Sequence, residues 1–232
     1  MVRSFSTFFS LASAVTILTA AVAGTARGQS DTVYLVTYVE LMPNAVASGA
    51  ALLKRYQDES RKQSGNLRFD VLAEIKRLNR FAVIEVWNNK ASLDAHNNSA
   101  VSAQFSEKLK PLQDAPNDVR VDHRLYVARG QDENRAGSTY VVTHIDVIPP
   151  GKDACMAALK IMSGDTASDP GNIGYDVLQQ DDHSNHFTVI EEWADIKAAD
   201  AHAMAAHTRA FREKLIPIKG ALYDERFYTA LN

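Results

Sequence analysis

The chain has a single cysteine, Cys155, among 232 residues, so no internal disulfide can staple it and its stability must come from a packed core. Neither charge is in excess: 25 Lys and Arg stand against 28 Asp and Glu, and no stretch concentrates the basic residues. That pattern excludes the phosphate-neutralising surface of a nucleic-acid binder. Glycine-rich phosphate loops and nucleophile elbows are also missing. The uncharged run Phe8–Ala23, about 16 residues long, falls short of the roughly 20 needed to span a bilayer. It follows Arg3 and precedes small residues at Ala21–Ala23 and Ala26–Gly28, the layout of a secretory signal peptide. The expectation is removal of residues 1–28, with a periplasmic or secreted mature chain that has no membrane span.

What the remainder does have is an internal repeat, and a repeat decides a fold more firmly than any local pattern. Phe81-Ala-Val-Ile-Glu-Val-Trp87 recurs 106 residues later as Phe187-Thr-Val-Ile-Glu-Glu-Trp193. The same spacing relates Tyr34–Pro43 to Tyr140–Pro149, Asn66–Leu72 to Asn172–Leu178, and Asp94-Ala-His96 to Asp200-Ala-His202. In the last strand Asp122-His-Arg-Leu-Tyr126 looks like Asp224-Glu-Arg-Phe-Tyr228 at a spacing of 102, which suggests about four extra residues near Gln113–Asp118 in the first copy. The chain thus divides into modules at 31–128 and 139–232, joined by a polar linker at 129–138 that contains two glycines.

Each module reads β-α-β-β-α-β. Strands rich in β-branched and aromatic residues fall at Val33–Leu41, Leu67–Ala73, Arg80–Trp87 and Val121–Ala128, and helical spacing at Ala45–Lys62 and Lys90–Leu109. This is the α+β ferredoxin-like split unit, whose sheet has helices on one face only. The second copy is the obvious cover for the other face, so two sheets would meet as a barrel within one chain. Period-2 alternation puts Leu35, Thr37, Val39 and Leu41 toward the helices. It puts Tyr34, Val36, Tyr38 and Glu40, with Tyr140, Val142, His144 and Asp146, on the inner face. Aromatic and ionisable groups on an enclosed face suggest a small-molecule pocket.

A strand Phe-x-Val-Ile-Glu-x-Trp, a helix bearing Asp-Ala-His, then Phe and Leu-x-Pro, resembles the antibiotic biosynthesis monooxygenase family in both modules. The resemblance implies a dimeric α/β barrel, here built by fusion, and oxidation of phenols or quinols by molecular oxygen with no flavin, metal or other cofactor. It matches the family tryptophan to Trp87 and Trp193 and the helix histidine to His96 and His202. A second family histidine is present as His207 but is Val101 in the first copy. An assisting arginine is available as Arg124 or Arg226, whereas the assisting asparagine is replaced by Val83 and Val189. The position that ligates haem iron in haem-degrading relatives is Ser106 or Arg212, which argues against haem.

Chemistry without a cofactor needs a base, a positive group to hold the substrate anion, and a dry cavity. The candidates are His144 or Tyr38 as base or orienting group and Arg124 or Arg226 for the anion. Trp87, Trp193, Tyr34, Tyr140, His96 and His202 would bind substrate. Divergence at one matched position, Tyr38 against His144, suggests one working and one degenerate pocket. The plainer readings are structural: core tryptophans, histidines locking helix to strand, and glutamates paired with arginines. His183 and His186 lie in a polar turn with no third ligand beside them. A non-catalytic small-molecule binding barrel stands as the alternative function.

Overall fold

The structure is a computed structural model that describes Met1 and residues 31–130 and 137–231; the expected signal peptide and the centre of the linker lie outside the described residues. Among the described residues eight strands and six α-helices follow in chain order: β1 Val33–Glu40, α1 Val46–Ser60, β2 Asn66–Glu74, β3 Arg80–Trp87, α2 Lys90–Asn97, α3 Ala100–Leu109 and β4 Asp118–Arg129 in the first module. The second has β5 Thr139–Asp146, α4 Lys152–Thr166, β6 Asn172–Gln180, β7 His186–Trp193, α5 Ile196–Ala203, α6 Ala206–Leu215 and β8 Asp224–Ala230. The single helix expected over Lys90–Leu109 is broken at Asn98–Ser99. There Ser99 takes extended backbone angles and its Oγ accepts the Ser102 N–H, starting a new helix.

All strands join one closed antiparallel barrel in the order β1-β3-β2-β8-β5-β7-β6-β4. The seams β2–β8 and β4–β6 cross between modules, so neither sheet keeps a free edge, and edge-to-edge aggregation is blocked by closure. Strand β1 lies opposite β5 across the barrel, and their inward side chains meet on a pseudo-twofold axis. Tyr34, Val36, Tyr38, Ile84, Tyr140, Val142, Leu178, Ile190 and Tyr228 fill this space as one buried cluster. The alternation read from the sequence is therefore correct in direction, but the inner face is a packed core rather than a hollow.

The helices cover the outside. Leu35, Val39, Leu41, Phe81, Val83 and Trp87 pack on Leu52, Leu53, Leu93 and Leu109, and the second module repeats the arrangement around Leu159, Met162 and Phe211. Cys155 is wholly buried there and burial pushes its thiol up to about 12, which leaves it an inert packing group. Helix α1 is tied to the sheet by Gln57, whose Oε1 accepts the Val71 N–H at 2.7 Å. The equivalent glycines Gly65 and Gly171 turn the chain into β2 and β6 at φ of 82° and 78°, a region costly for any residue with a side chain.

The last strand corrects the sequence alignment. Tyr34, Val36 and Tyr38 face Asp122, Arg120 and Asp118, while Tyr140, Val142 and His144 face Tyr228, Arg226 and Asp224. The spacing of 106 thus holds through β4 and β8 with no insertion. Asp118 and Arg120 are the true counterparts of Asp224 and Arg226, and β4 simply runs further, to Arg129. The four-residue slip was a chance match of Asp-x-Arg-x-Tyr, overruled by the hydrogen-bonded register.

Candidate functional site

Residues 85 and 87 share the helix-facing side of β3, and α2 lowers His96 onto them. The Trp87 indole Nε1 donates to Glu85 Oε2 at 2.9 Å, and its ring stacks on the His96 imidazole with centroids 4.6 Å apart. His96 Nδ1 donates to Gln63 Oε1 at 2.8 Å, which leaves Nε2 to accept from the Tyr56 hydroxyl at 2.7 Å. Burial lowers His96 to about 4, so the ring is neutral, and burial raises Glu85 to about 7 against the pull of the Trp87 hydrogen bond. The second module repeats the motif. Trp193 donates to Glu191 at 2.8 Å, its ring lies 4.7 Å from that of His202, and burial raises Glu191 to about 8. The histidine's partners differ: His202 Nδ1 meets Asp169 Oδ2 at 2.7 Å, and its Nε2 lies 3.5 Å from Thr208 Oγ1, because Met162 stands at the position of Tyr56.

These tryptophans and histidines therefore face the helices, on the opposite side of the sheet from Tyr38 and His144. The expectation of one pocket holding all of them is corrected: alternate residues of a strand point to opposite faces, and β1 offers its even positions inward while β3 offers its odd positions outward.

Inside the barrel the sequence candidates do meet. The Tyr38 hydroxyl donates to His144 Nε2 at 2.5 Å, so Nδ1 carries the proton and faces Thr188 Oγ1 at 3.2 Å. The guanidiniums of Arg226 and Arg120 stand 4.9 and 5.8 Å from the centre of the Tyr38 ring. Burial, with help from those arginines, lowers His144 to about 3, while burial pushes the Tyr38 phenol well above its ordinary value. Both ring nitrogens are engaged and neither group changes charge near neutrality. Tyr38, Arg226, Asp118 and Tyr228 line a cavity of about 250 Å³ at this end of the barrel. Arg124 is not part of it: it lies beside Tyr34, near the other end, where Tyr140 donates to Glu192 at 3.0 Å.

A larger space lies elsewhere. Between α6 and the sheet of the second module is a cavity of about 510 Å³, within the range of small-molecule sites. Ile145, Val147 and Leu215 give it apolar walls, and Arg212, Tyr223 and Glu225 give it polar ones. Arg212 is ion-paired to Glu225 at 2.8 Å and lies 5.4 Å from the Tyr223 ring. The first module has about 260 Å³ in the corresponding layer, lined by Tyr56, Glu85 and Phe105 among others, with Ser106, Asn117 and Val119 at the positions of Arg212, Tyr223 and Glu225. Sequence reasoning passed over this trio. The signal was available as three aligned substitutions at the spacing of 106, each adding a polar or aromatic group to the second copy.

Fold and site together define a ferredoxin-like α/β barrel with its two sheets fused into one chain and a cavity of small-molecule size between helix and sheet. Residues 32–108 and 138–214 match the family model described as antibiotic biosynthesis monooxygenase, and the chain belongs to that family as a tandem of two domains. It is 28% identical over 87 residues to "Putative monooxygenase YcnE" of Bacillus subtilis (strain 168), a match that covers 38% of this chain and 92% of that protein. Among solved structures, a "Putative monooxygenase" from Fusobacterium nucleatum superposes with a TM-score of 0.77 at 14% identity, covering 87% of this chain and 93% of the other. A second, from Lactobacillus acidophilus NCFM, gives 0.70 at 17% identity over 87% and 94%. At such identities these structures establish the shared fold alone.

Proposed function

We propose that the protein is an exported, cofactor-independent monooxygenase that oxidises a quinol-like or phenolic molecule with O2 in the helix–sheet cavity of its second module. The observation that carries this reading is the pairing of Arg212 with Glu225 and Tyr223 in a cavity of about 510 Å³ whose other walls are aliphatic apart from Asp146 and Lys219. Ile145, Val147 and Leu215 sandwich a planar ring. Glu225 takes the proton from an activated C–H or O–H, and Arg212, released from Glu225 as that carboxylate is neutralised, holds the resulting oxyanion. The electron-rich anion passes one electron to O2, and recombination gives a hydroperoxide at carbon. Loss of water then converts the CH2 to C=O, so one oxygen atom enters the product, the other leaves as water, and the substrate supplies all the electrons. Export rests on the leader pattern of residues 1–28.

The test is oxygen consumption by the chain from Gln29 with a panel of reduced quinones and polyphenols, with and without chelator. Uptake should survive chelation and fall at least tenfold in kcat/KM on Arg212→Ala, while His144→Ala, which alters the barrel interior, leaves kcat/KM within threefold. Val83 and Val189 at the position of the assisting asparagine favour the alternative of a binding barrel. Thermal stabilisation by these ligands without any oxygen uptake would establish that alternative and end the oxygenase reading.

A further inference from the structure

The two modules share one frame around the helix histidine, and they differ in what surrounds its outer nitrogen. In the first module His96 Nδ1 faces Gln63 Oε1 at 2.8 Å, and position 101 is valine. In the second, at the same spacing of 106, Gln63 has become Asp169 and Val101 has become His207. Asp169 and His207 are 38 residues apart in the chain, yet both substitutions converge on one point. Asp169 Oδ2 lies 2.7 Å from His202 Nδ1 and 3.0 Å from His207 Nε2, and the two imidazole centroids are 5.4 Å apart.

We propose that Asp169, His202 and His207 form a binding site for a divalent transition-metal ion of the zinc type, present in the second module and absent from the first. The three ligand atoms lie within 4.8 Å of one another. A tetrahedral ion with bonds of about 2.0–2.2 Å holds its ligands roughly 3.3 Å apart, so the observed 2.7 and 3.0 Å need open by only a few tenths of an ångström. His207 Nε2 is the telling atom. It is shielded from solvent and close to the Asp169 carboxylate, yet it is not aligned for a hydrogen bond with that oxygen or with any other described atom. A buried nitrogen without a partner is costly, and an ion seated between it and the carboxylate satisfies both. The outer shell is also in place. With Nδ1 bound to the ion, His202 carries its proton on Nε2, which lies 3.5 Å from Thr208 Oγ1 and 3.8 Å from Glu191 Oε2. Imidazole ligands orient themselves through such contacts. Two imidazoles and one carboxylate suit zinc or copper and disfavour calcium and magnesium, which want oxygen throughout. Asp169 and His207 are partly exposed, at 18% and 21%, so the site opens to solvent on the side away from the tryptophan.

This site does not depend on the oxygenase reading, and its test does not use activity. Zn2+ is titrated calorimetrically into the chelator-treated full chain carrying His183→Ala and His186→Ala, which removes the exposed histidine turn as a competing binder. One Zn2+ per chain should bind, with Mg2+ unable to displace it. His207→Val and Asp169→Gln, each restoring the first module's residue, should weaken binding at least about 100-fold, more than the loss typical of an outer-shell partner. The converse variant, Gln63→Asp with Val101→His, should raise the stoichiometry from one to two. Zinc binding unaltered by His207→Val and Asp169→Gln, or no zinc binding at micromolar concentrations by a folded chain, would overturn the proposal. Circular dichroism on each variant separates loss of the site from loss of the fold.

Discussion

Exchanging Glu85 for glutamine removes a charge while leaving the shape and the hydrogen-bond acceptor, because an amide oxygen can still receive the Trp87 indole N–H. Glu85 is 6% exposed, and burial raises its carboxyl from an ordinary 4.5 to about 7. In the unfolded chain this side chain loses its proton near pH 4.5; in the folded chain it keeps it until about pH 7. The folded state therefore binds more protons across that interval, and stability falls as pH rises through it. Below pH 4.5 both states are protonated and nothing is lost. Above pH 7 the loss is complete, and a shift of about 2.5 units corresponds to roughly 3 kcal/mol at 1.36 kcal/mol per unit. That is an upper figure, since water drawn in beside the ionised carboxylate reduces it. Glu85→Gln abolishes this slope. Relative to the parent, the variant should gain up to about 3 kcal/mol between pH 4.5 and pH 8.5, or roughly 6–12 °C in Tm for a chain of this size. The assay is urea and thermal unfolding of both proteins at the two pH values. A stability difference between variant and parent that is the same at both, within about 0.5 kcal/mol, would refute the claim that Glu85 is held protonated by burial.

Two further consequences concern the barrel. Tyr38→Phe deletes the one donor to His144 Nε2 among the described residues and leaves a buried acceptor without it, so unfolding free energy should drop by about 1–3 kcal/mol; a change under 0.5 kcal/mol would mean that water replaces the hydroxyl. The first module expressed alone, residues 31–130, presents the unpaired edges of β2 and β4 and should assemble into a homodimer that rebuilds both seams. Light scattering after size exclusion reads the mass directly, and a stable folded monomer would contradict the need for closure.

The two halves of the molecule have parted in chemistry while keeping one frame. The first keeps a smaller layer cavity around Tyr56 and Glu85, and the second has a larger one with an arginine, a tyrosine and an additional carboxylate. In the barrel interior the matched pair Tyr38 and His144 has become mutually satisfying, donor to acceptor across the pseudo-twofold axis. His144 uses its second nitrogen as well, Nδ1 reaching Thr188, which replaces Ala82 of the first module. Divergence at position 38 against 144 is thus accounted for by packing a polar core.

The sequence by itself determined the repeat, the module order and the inward and outward faces of β1 and β5. Those properties are local or periodic: Phe81–Trp87 and Phe187–Trp193 alternate with period 2 whatever they pack against, and copying a module copies its pattern. It also revealed the family, through Trp87, His96 and their counterparts. Only the tertiary structure decided which candidates share a space. Trp87 and Tyr38 belong to adjacent paired strands, yet a sheet stands between their side chains, and nothing in the spacing of residues says which face of one strand lies over which face of the next. Register did the same for the last strand, where Asp122 resembles Asp224 in text but faces Tyr34 as Tyr228 faces Tyr140. The convergence of Asp169, His202 and His207 belongs to the same class of fact. It joins the turn after α4 to α5 and α6 through packing, and a contact between segments far apart in the chain is set by how their surfaces fit, which no single segment encodes.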